Sequence, residues 1–159
     1  MRRDVSPADT DLIRPMDFLG LNMQPSLVTP HGVLLNADCL DLLRALPSDS
    51  LNMIFADPPF NIGKEYNNGL SDLLSTNKYL DWCRLWISES VRVVKPGGAI
   101  FIYNLPRWAY QLAAYLEEQQ MDFRHWIAVS MKGTFPPRKQ AISRALCTSL
   151  FHERNAQNI

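Results

Sequence analysis

The chain has seven glycines in 159 residues, at 20, 32, 63, 69, 97, 98 and 133, and no two are separated by a single residue. A Gly-x-Gly turn between a strand and a helix, the usual backbone cradle for a nucleotide-like ligand, is therefore missing. Gly97-Gly98 does not substitute, because the pair follows a helical pattern and precedes a strand. Cysteine is also sparse. Cys39, Cys83 and Cys147 stand far apart, which excludes a metal-binding spacing and a disulfide framework and makes a reducing cytoplasm the expected setting. No apolar run approaches the roughly 20 residues of a membrane span. The two N-terminal arginines are followed by Asp4, Asp9, Asp11 and Asp17, not by the apolar segment of a signal peptide. A net charge of one sign is absent too. Sixteen Lys and Arg balance sixteen Asp and Glu, so no global field draws the chain to nucleic acid or a membrane.

What is present is an ordinary globular composition, 47% hydrophobic and 20% charged, with enough chain for one domain. Residues 1–30, broken by Pro7, Pro15, Pro25 and Pro30, read as an irregular leader. Gly32–Asn36 is a short strand, and Leu40, Leu42, Leu43 and Leu46 then recur at helical spacing until Pro47 stops them. Leu51–Ala56 is a second strand, and 61–76 a long surface loop. Tyr79–Val94 has the clearest helical periodicity, with Leu80, Cys83, Ile87, Val91 and Val94 on one stripe. Lys95-Pro96-Gly97-Gly98 ends it with a cation, a proline and glycines. A third strand at 99–103, a helix from Pro106 to about Gln119 and a fourth strand at 123–131 complete the pattern. Alternating strands and helices predict an α/β protein with a mainly parallel sheet flanked by helices. The four tryptophans, Trp82, Trp86, Trp108 and Trp126, are expected in the core or on a sheet face.

The chemistry concentrates at Asp57-Pro58-Pro59-Phe60, just beyond the carboxyl end of the second strand, where ligands of open parallel sheets bind. Two prolines fix two φ angles and remove two amide donors. The turn thus offers carbonyl oxygens and a carboxylate with no competing N–H, followed at once by an aromatic ring. Such a group can accept two hydrogen bonds from one amino group and stack on the ring that carries it. With proline near 5% of residues, a motif of this kind arises by chance in about one chain of this size in a hundred. The alternative is a proline turn ending a strand, with Asp57 as a local cap.

At these residues the sequence resembles the DNA amino-methyltransferases, which modify N6 of adenine or N4 of cytosine. Their catalytic motif is Asp, Asn or Ser followed by Pro-Pro and an aromatic residue. The resemblance extends to Ala37–Leu43, Ile54–Lys64 and Val93–Gly98, and covers about residues 31–140. The order matches the family's β group, in which the catalytic half comes first and the S-adenosylmethionine half later. The resemblance implies a partial Rossmann-like methyltransferase sheet with Asp57, Pro58, Pro59 and Phe60 as catalytic residues. Asp57 and the Pro58 carbonyl would accept the two amine hydrogens, freeing the nitrogen lone pair for the sulfonium methyl. Phe60 would sandwich a target base flipped out of the DNA stack. Asp at the first position leans toward adenine N6, Ser-Pro-Pro being commonest among the cytosine enzymes. Asp38 resembles a position near the cofactor adenosine, or else caps the helix that follows it. Lys132, Arg138 and Lys139 lie in a tail where residues 121–159 hold six Lys and Arg against two Asp and Glu. They are candidate DNA-phosphate contacts or a solvated loop. No metal site is expected.

The family's glycine motif for S-adenosylmethionine is absent, so the chain reads as a catalytic half, inactive by itself, whose cofactor site lies elsewhere or on a partner chain. The tail bears on this. Ala141–Ile159 resembles nothing in the family, yet codons exist for it that, read one nucleotide later, give Leu-Ser-Pro-Ala-His-Tyr-Ala-Leu-Leu-Tyr-Phe-Thr-Lys-Gly-Thr-Pro-Lys-Thr. That is the strand the family pattern places there. The segment is thus expected to be out of frame, leaving the fourth strand as an unpaired edge; the alternative is an amphipathic helix bearing Ile142, Ala145, Leu146 and Leu150. Rival functions are a non-catalytic DNA-binding remnant, a subunit of a split methyltransferase, a protein-glutamine or RNA methyltransferase, and a structural module with Asp57 buried and capped.

Overall fold

A computed structural model describes residues 23–63, 73–130 and 146–154. In chain order these form β1 (Pro25–Thr29), β2 (Gly32–Leu35), α1 (Cys39–Ala45), β3 (Leu51–Ala56) and α2 (Thr76–Val93), then β4 (Val94–Asn104), α3 (Pro106–Glu118), β5 (Met121–Ser130) and β6 (Leu146–Arg154). The main sheet has the order β3-β4-β6-β5. β3 and β4 are parallel, while β6 is antiparallel to both β4 and β5. Three strands therefore run one way, with a single reversed strand between the second and third. This is a partial Rossmann-like α/β sheet with strands mainly in one direction. Among the described residues no helix is long and apolar enough to cross a membrane.

The helices follow from local chemistry. Asp38 caps α1, its Oδ1 accepting from the Leu40 amide at 2.8 Å and satisfying one orphan donor of the first turn. The α1 carboxyl end is closed by a long-range cation. Arg92 of α2 donates to the Leu43 carbonyl at 2.7 Å and the Leu46 carbonyl at 3.0 Å, while its Nε reaches Glu89 at 2.9 Å. α3 starts with Pro106 at its first position, where the missing amide costs nothing.

The buried stripe of α2 is Tyr79, Cys83, Trp86, Ile87, Ser90 and Val93. Leu80 and Val91, expected on that stripe, are only partly buried against the core. Aliphatic spacing alone misplaces the face because two aromatics and a serine point inward with it. Trp108, Leu112 and Leu116 of α3 and Ile100 and Ile102 of β4 complete one contiguous core. Trp126, expected to pack, is 48% exposed.

The structure departs from three further expectations. Pro25–Thr29, placed in the irregular leader, is a strand, and Gly32–Leu35 pairs with it in a two-stranded antiparallel ribbon instead of joining the main sheet. The Thr29 hydroxyl, which donates to the Gly32 carbonyl and accepts from the His31 amide, closes the intervening turn. Secondly, Lys95-Pro96-Gly97-Gly98 does not separate helix from strand. Pairing begins at Leu51↔Val94, bulges, and resumes at Met53↔Ala99, with Gly97 at a φ of 76°, a conformation natural to glycine. Finally, β5 is not without a partner and the tail is not helical there: β6 pairs along β5 on one side and β4 on the other, and among the described strands β5 forms the end of the sheet.

Gly98 shows how tightly the bulge is packed. A Cβ there would lie 2.8 Å from the Asn52 carbonyl oxygen, 2.9 Å from that of Lys95 and 2.7 Å from a Val94 methyl. Two of these are backbone atoms that cannot swing away. Gly98→Ala is expected to destabilise the chain by about 1–3 kcal/mol, measured by urea unfolding, whereas an unchanged midpoint would show that the bulge yields.

Candidate active site

β3 delivers Asp57-Pro58-Pro59-Phe60 to the carboxyl end of the sheet, beside the end of β4, and neighbouring elements hold the turn from beneath. The Tyr79 hydroxyl of α2 donates to the Pro59 carbonyl at 2.8 Å. The Trp108 indole N–H of α3 donates to the Phe60 carbonyl at 2.8 Å. Both donors belong to buried side chains, 1% and 2% exposed, with ring centroids 4.7 Å apart. Asn104, at the end of β4 and fully buried, donates through Nδ2 to the Tyr79 hydroxyl at 3.0 Å and accepts the Leu105 amide at 2.7 Å. The Phe60 ring is half-buried against Tyr103, centroids 5.8 Å apart.

Asn61 completes the turn. Its φ is 51°, in the left-handed region that asparagine tolerates better than most residues. Its buried side chain accepts from the Leu74 amide at 2.6 Å and donates to the Leu74 carbonyl at 2.9 Å. The two described ends of the 61–76 connection are thereby tied to each other.

What remains uncommitted is as informative. Asp57 is exposed, and among the described residues none donates to its carboxylate or to the Pro58 carbonyl. Asp57 is therefore neither the buried, capped residue of a purely structural module nor a local helix cap. A groove of about 370 Å³ leads to it, lined by Leu42, Leu43, Ile54, Ala56 and Trp82 and ending at Asp57, Pro58 and Pro59. The exposed Arg107, next to Trp108 in α3, has its guanidinium 4.2 Å from the Trp108 ring centroid, within range of a cation–π contact.

Of the other sequence candidates, Asp38 caps α1 through Oδ1 and precedes Cys39, which lines the same groove. Lys132, Arg138 and Lys139 lie outside the described residues. Among the described residues no cluster of three His, Cys, Asp or Glu is placed to hold a metal. Burial pushes the Cys83 thiol up to about 11, and Cys39 is raised by burial and then by the Asp38 charge, so neither is primed as a nucleophile.

Sequence reasoning passed over Tyr79, Asn104 and Trp108. Their signal was weak but real: each carries a polar atom at an otherwise apolar position near the carboxyl ends of β3 and β4. Among the described residues the groups present do not make a site for S-adenosylmethionine. The groove is overwhelmingly apolar, and no Gly-x-Gly exists in the sequence.

Comparison with known proteins places this arrangement. Residues 51–157 match the DNA methylase family of N6 and N4 methyltransferases. Type II methyltransferase M.BamHI of Bacillus amyloliquefaciens is 47% identical over 114 residues, covering 72% of this chain and 27% of that protein. The DNA adenine methyltransferase YhdJ of Escherichia coli K12 is 38% identical over 71 residues, 45% of this chain and 24% of that one. Among solved structures, the cytosine-N4-specific PvuII DNA methyltransferase superposes with a TM-score of 0.68 at 16% identity, over 85% of this chain and 53% of that chain. The M1.HpyAVI–SAM complex gives 0.51 at 17% identity, over 76% of this chain and 53% of that one. These likenesses to solved structures establish the Rossmann-like fold. The chain spans about a quarter of the two curated relatives and about half of the two structural ones. On the extent of the family match, this chain belongs to the N6/N4 DNA methylase family.

Proposed function

We propose that this chain is the catalytic half of a DNA amino-methyltransferase: it presents the target amine, and the methyl donor is held by a second half. One observation carries the reading. At the end of β3 no described residue donates to the Asp57 carboxylate or the Pro58 carbonyl, while the next two carbonyls are occupied by Tyr79 and Trp108. An exocyclic amine has two N–H groups and a lone pair delocalised into its ring. Donating both hydrogens to Asp57 and Pro58 draws the nitrogen toward tetrahedral geometry, exposes the lone pair and stabilises the positive charge that develops. S-adenosylmethionine, when bound by the other half, supplies the methyl group. Phe60 stacks on the base, which must leave the helix to reach this turn.

The reading assigns residues 31–140 to the catalytic half and 141–159 to an out-of-frame tail. Lys132, Arg138 and Lys139 are assigned to DNA phosphates. Two features support a missing neighbour: β3 ends the sheet among the described strands, and Met53 and Phe55, which share one face of it, are 58% and 61% exposed. An aspartate at the head of the motif favours adenine N6 over cytosine N4.

The test is transfer of labelled methyl from S-adenosylmethionine to unmethylated DNA. The chain alone should give none, and the chain joined to a cofactor-binding half should label DNA as N6-methyladenine on nucleoside analysis. Robust transfer by the isolated chain overturns the split, and N4-methylcytosine as product overturns the adenine assignment. The coding DNA around codon 141 decides the tail, since the shifted frame must stay open and lead to a Gly-x-Gly motif.

A further inference from the structure

The hydrogen bonds behind the turn form a relay whose direction is fixed from one end to the other. A backbone amide can only donate, so the Leu105 N–H at 2.7 Å requires the carbonyl oxygen of the Asn104 side chain to face it. The Asn104 amide nitrogen must then face the Tyr79 hydroxyl, 3.0 Å away, and an amide NH2 can only donate. The hydroxyl accepts that bond, so its single proton goes to the Pro59 carbonyl at 2.8 Å. Asn104 and Tyr79 are 0% and 1% exposed, and water does not offer an alternative partner for such groups.

We infer that Asn104 and Tyr79 are positioning residues that orient the catalytic turn by presenting one donor, and no acceptor, to its Pro59 carbonyl. With Pro59 and Phe60 each held by a side-chain donor, the peptide planes of the turn are set. The Pro58 carbonyl and the Asp57 carboxylate remain as the acceptors available to an incoming amine. The role of the relay in methyl transfer rests on the function proposed above, whereas its effect on the turn does not.

Two substitutions separate direction from packing. Tyr79→Phe removes the proton and keeps the ring. Asn104→Asp keeps the acceptor for Leu105 but replaces the donor facing Tyr79 with an acceptor, which draws the hydroxyl proton away from Pro59. The first readout uses the 159-residue chain and ¹⁵N-labelled tryptophan. Hydrogen exchange at the Trp108 indole, bonded to Phe60 in the same turn, should rise about 10-fold in both variants without loss of the cooperative melting transition. Unchanged exchange in either variant overturns the relay. The second readout is methyl transfer by the chain joined to its cofactor-binding half. There kcat should fall about 10- to 100-fold, with KM for DNA changed less than about twofold, as for a misplaced rather than missing acceptor. Altered exchange with an unchanged kcat overturns the catalytic part alone. A wild-type enzyme that transfers nothing overturns the proposed function, and the catalytic part with it, but leaves the exchange result standing.

Discussion

Replacing Asp57 by alanine is expected to lower methyl transfer by about 10²- to 10³-fold in the enzyme completed by its cofactor-binding half, with DNA affinity nearly unchanged. The magnitude is that of removing one pre-aimed electrostatic partner from a developing charge. The carboxylate is exposed and accepts from no described residue, so its removal leaves no buried group unpaired and should not disturb the fold. Asp57→Asn provides the internal comparison. It retains one oxygen acceptor but loses the charge and introduces an N–H2 that repels the amine hydrogens, so it should fall between wild type and alanine. Steady-state transfer to a methyl-free duplex, with binding measured separately by anisotropy, distinguishes the outcomes. Equal activity of the three proteins would remove Asp57 from the mechanism.

Trp108→Ala is expected to have the largest effect on stability, about 3–5 kcal/mol, or a melting midpoint lower by roughly 10–20 °C. The side chain is 2% exposed, meets the Tyr79 ring in a tilted contact and supplies the donor to the Phe60 carbonyl. Truncation thus opens a cavity in the core and leaves the carbonyl at the head of the site without its partner. Trp126→Ala is the control. Its ring is half-exposed on β5 and touches Phe123, and it should cost less than about 1 kcal/mol. Comparable losses for the two would mean that the core does not centre on α3.

These effects mark which parts of the molecule were legible in the amino-acid order. The Asp57 turn could be read because two consecutive prolines and a preceding apolar run leave few conformations, and its exposure at the sheet's carboxyl end follows from strand polarity alone. Helices α2 and α3 were also legible from period and boundary residues. The inward face of α2 was less so, because Tyr79, Trp86 and Ser90 bury polar atoms that hydropathy counts against burial. The partners of Tyr79 and Ser90, the Pro59 carbonyl and the α2 backbone, are set by tertiary packing or by a helix that must already exist, and the Trp86 indole N–H is buried with no hydrogen-bond partner among the described residues. The bulge at Val94–Gly98 was misread for a related reason: proline and glycines signal a break in any local reading, and only the partner strand shows that pairing continues across it. The pairing of Gly32–Leu35 was hidden as well, since four apolar residues fit a ribbon or a central strand equally.

The reversed strand β6 has a consequence for synthesis. It is the last of the described strands, yet it lies between β4 and β5, so both neighbours are synthesised before the strand that joins them exists. At about 5–20 residues per second, residues 94–130 wait for seconds with two inward strand edges unfilled, and the sheet cannot close before residue 154 has been translated. A change of reading frame near codon 141 would therefore alter the centre of the sheet and not its rim. Its first casualty would be yield, as half-closed chains are captured by chaperones or by one another.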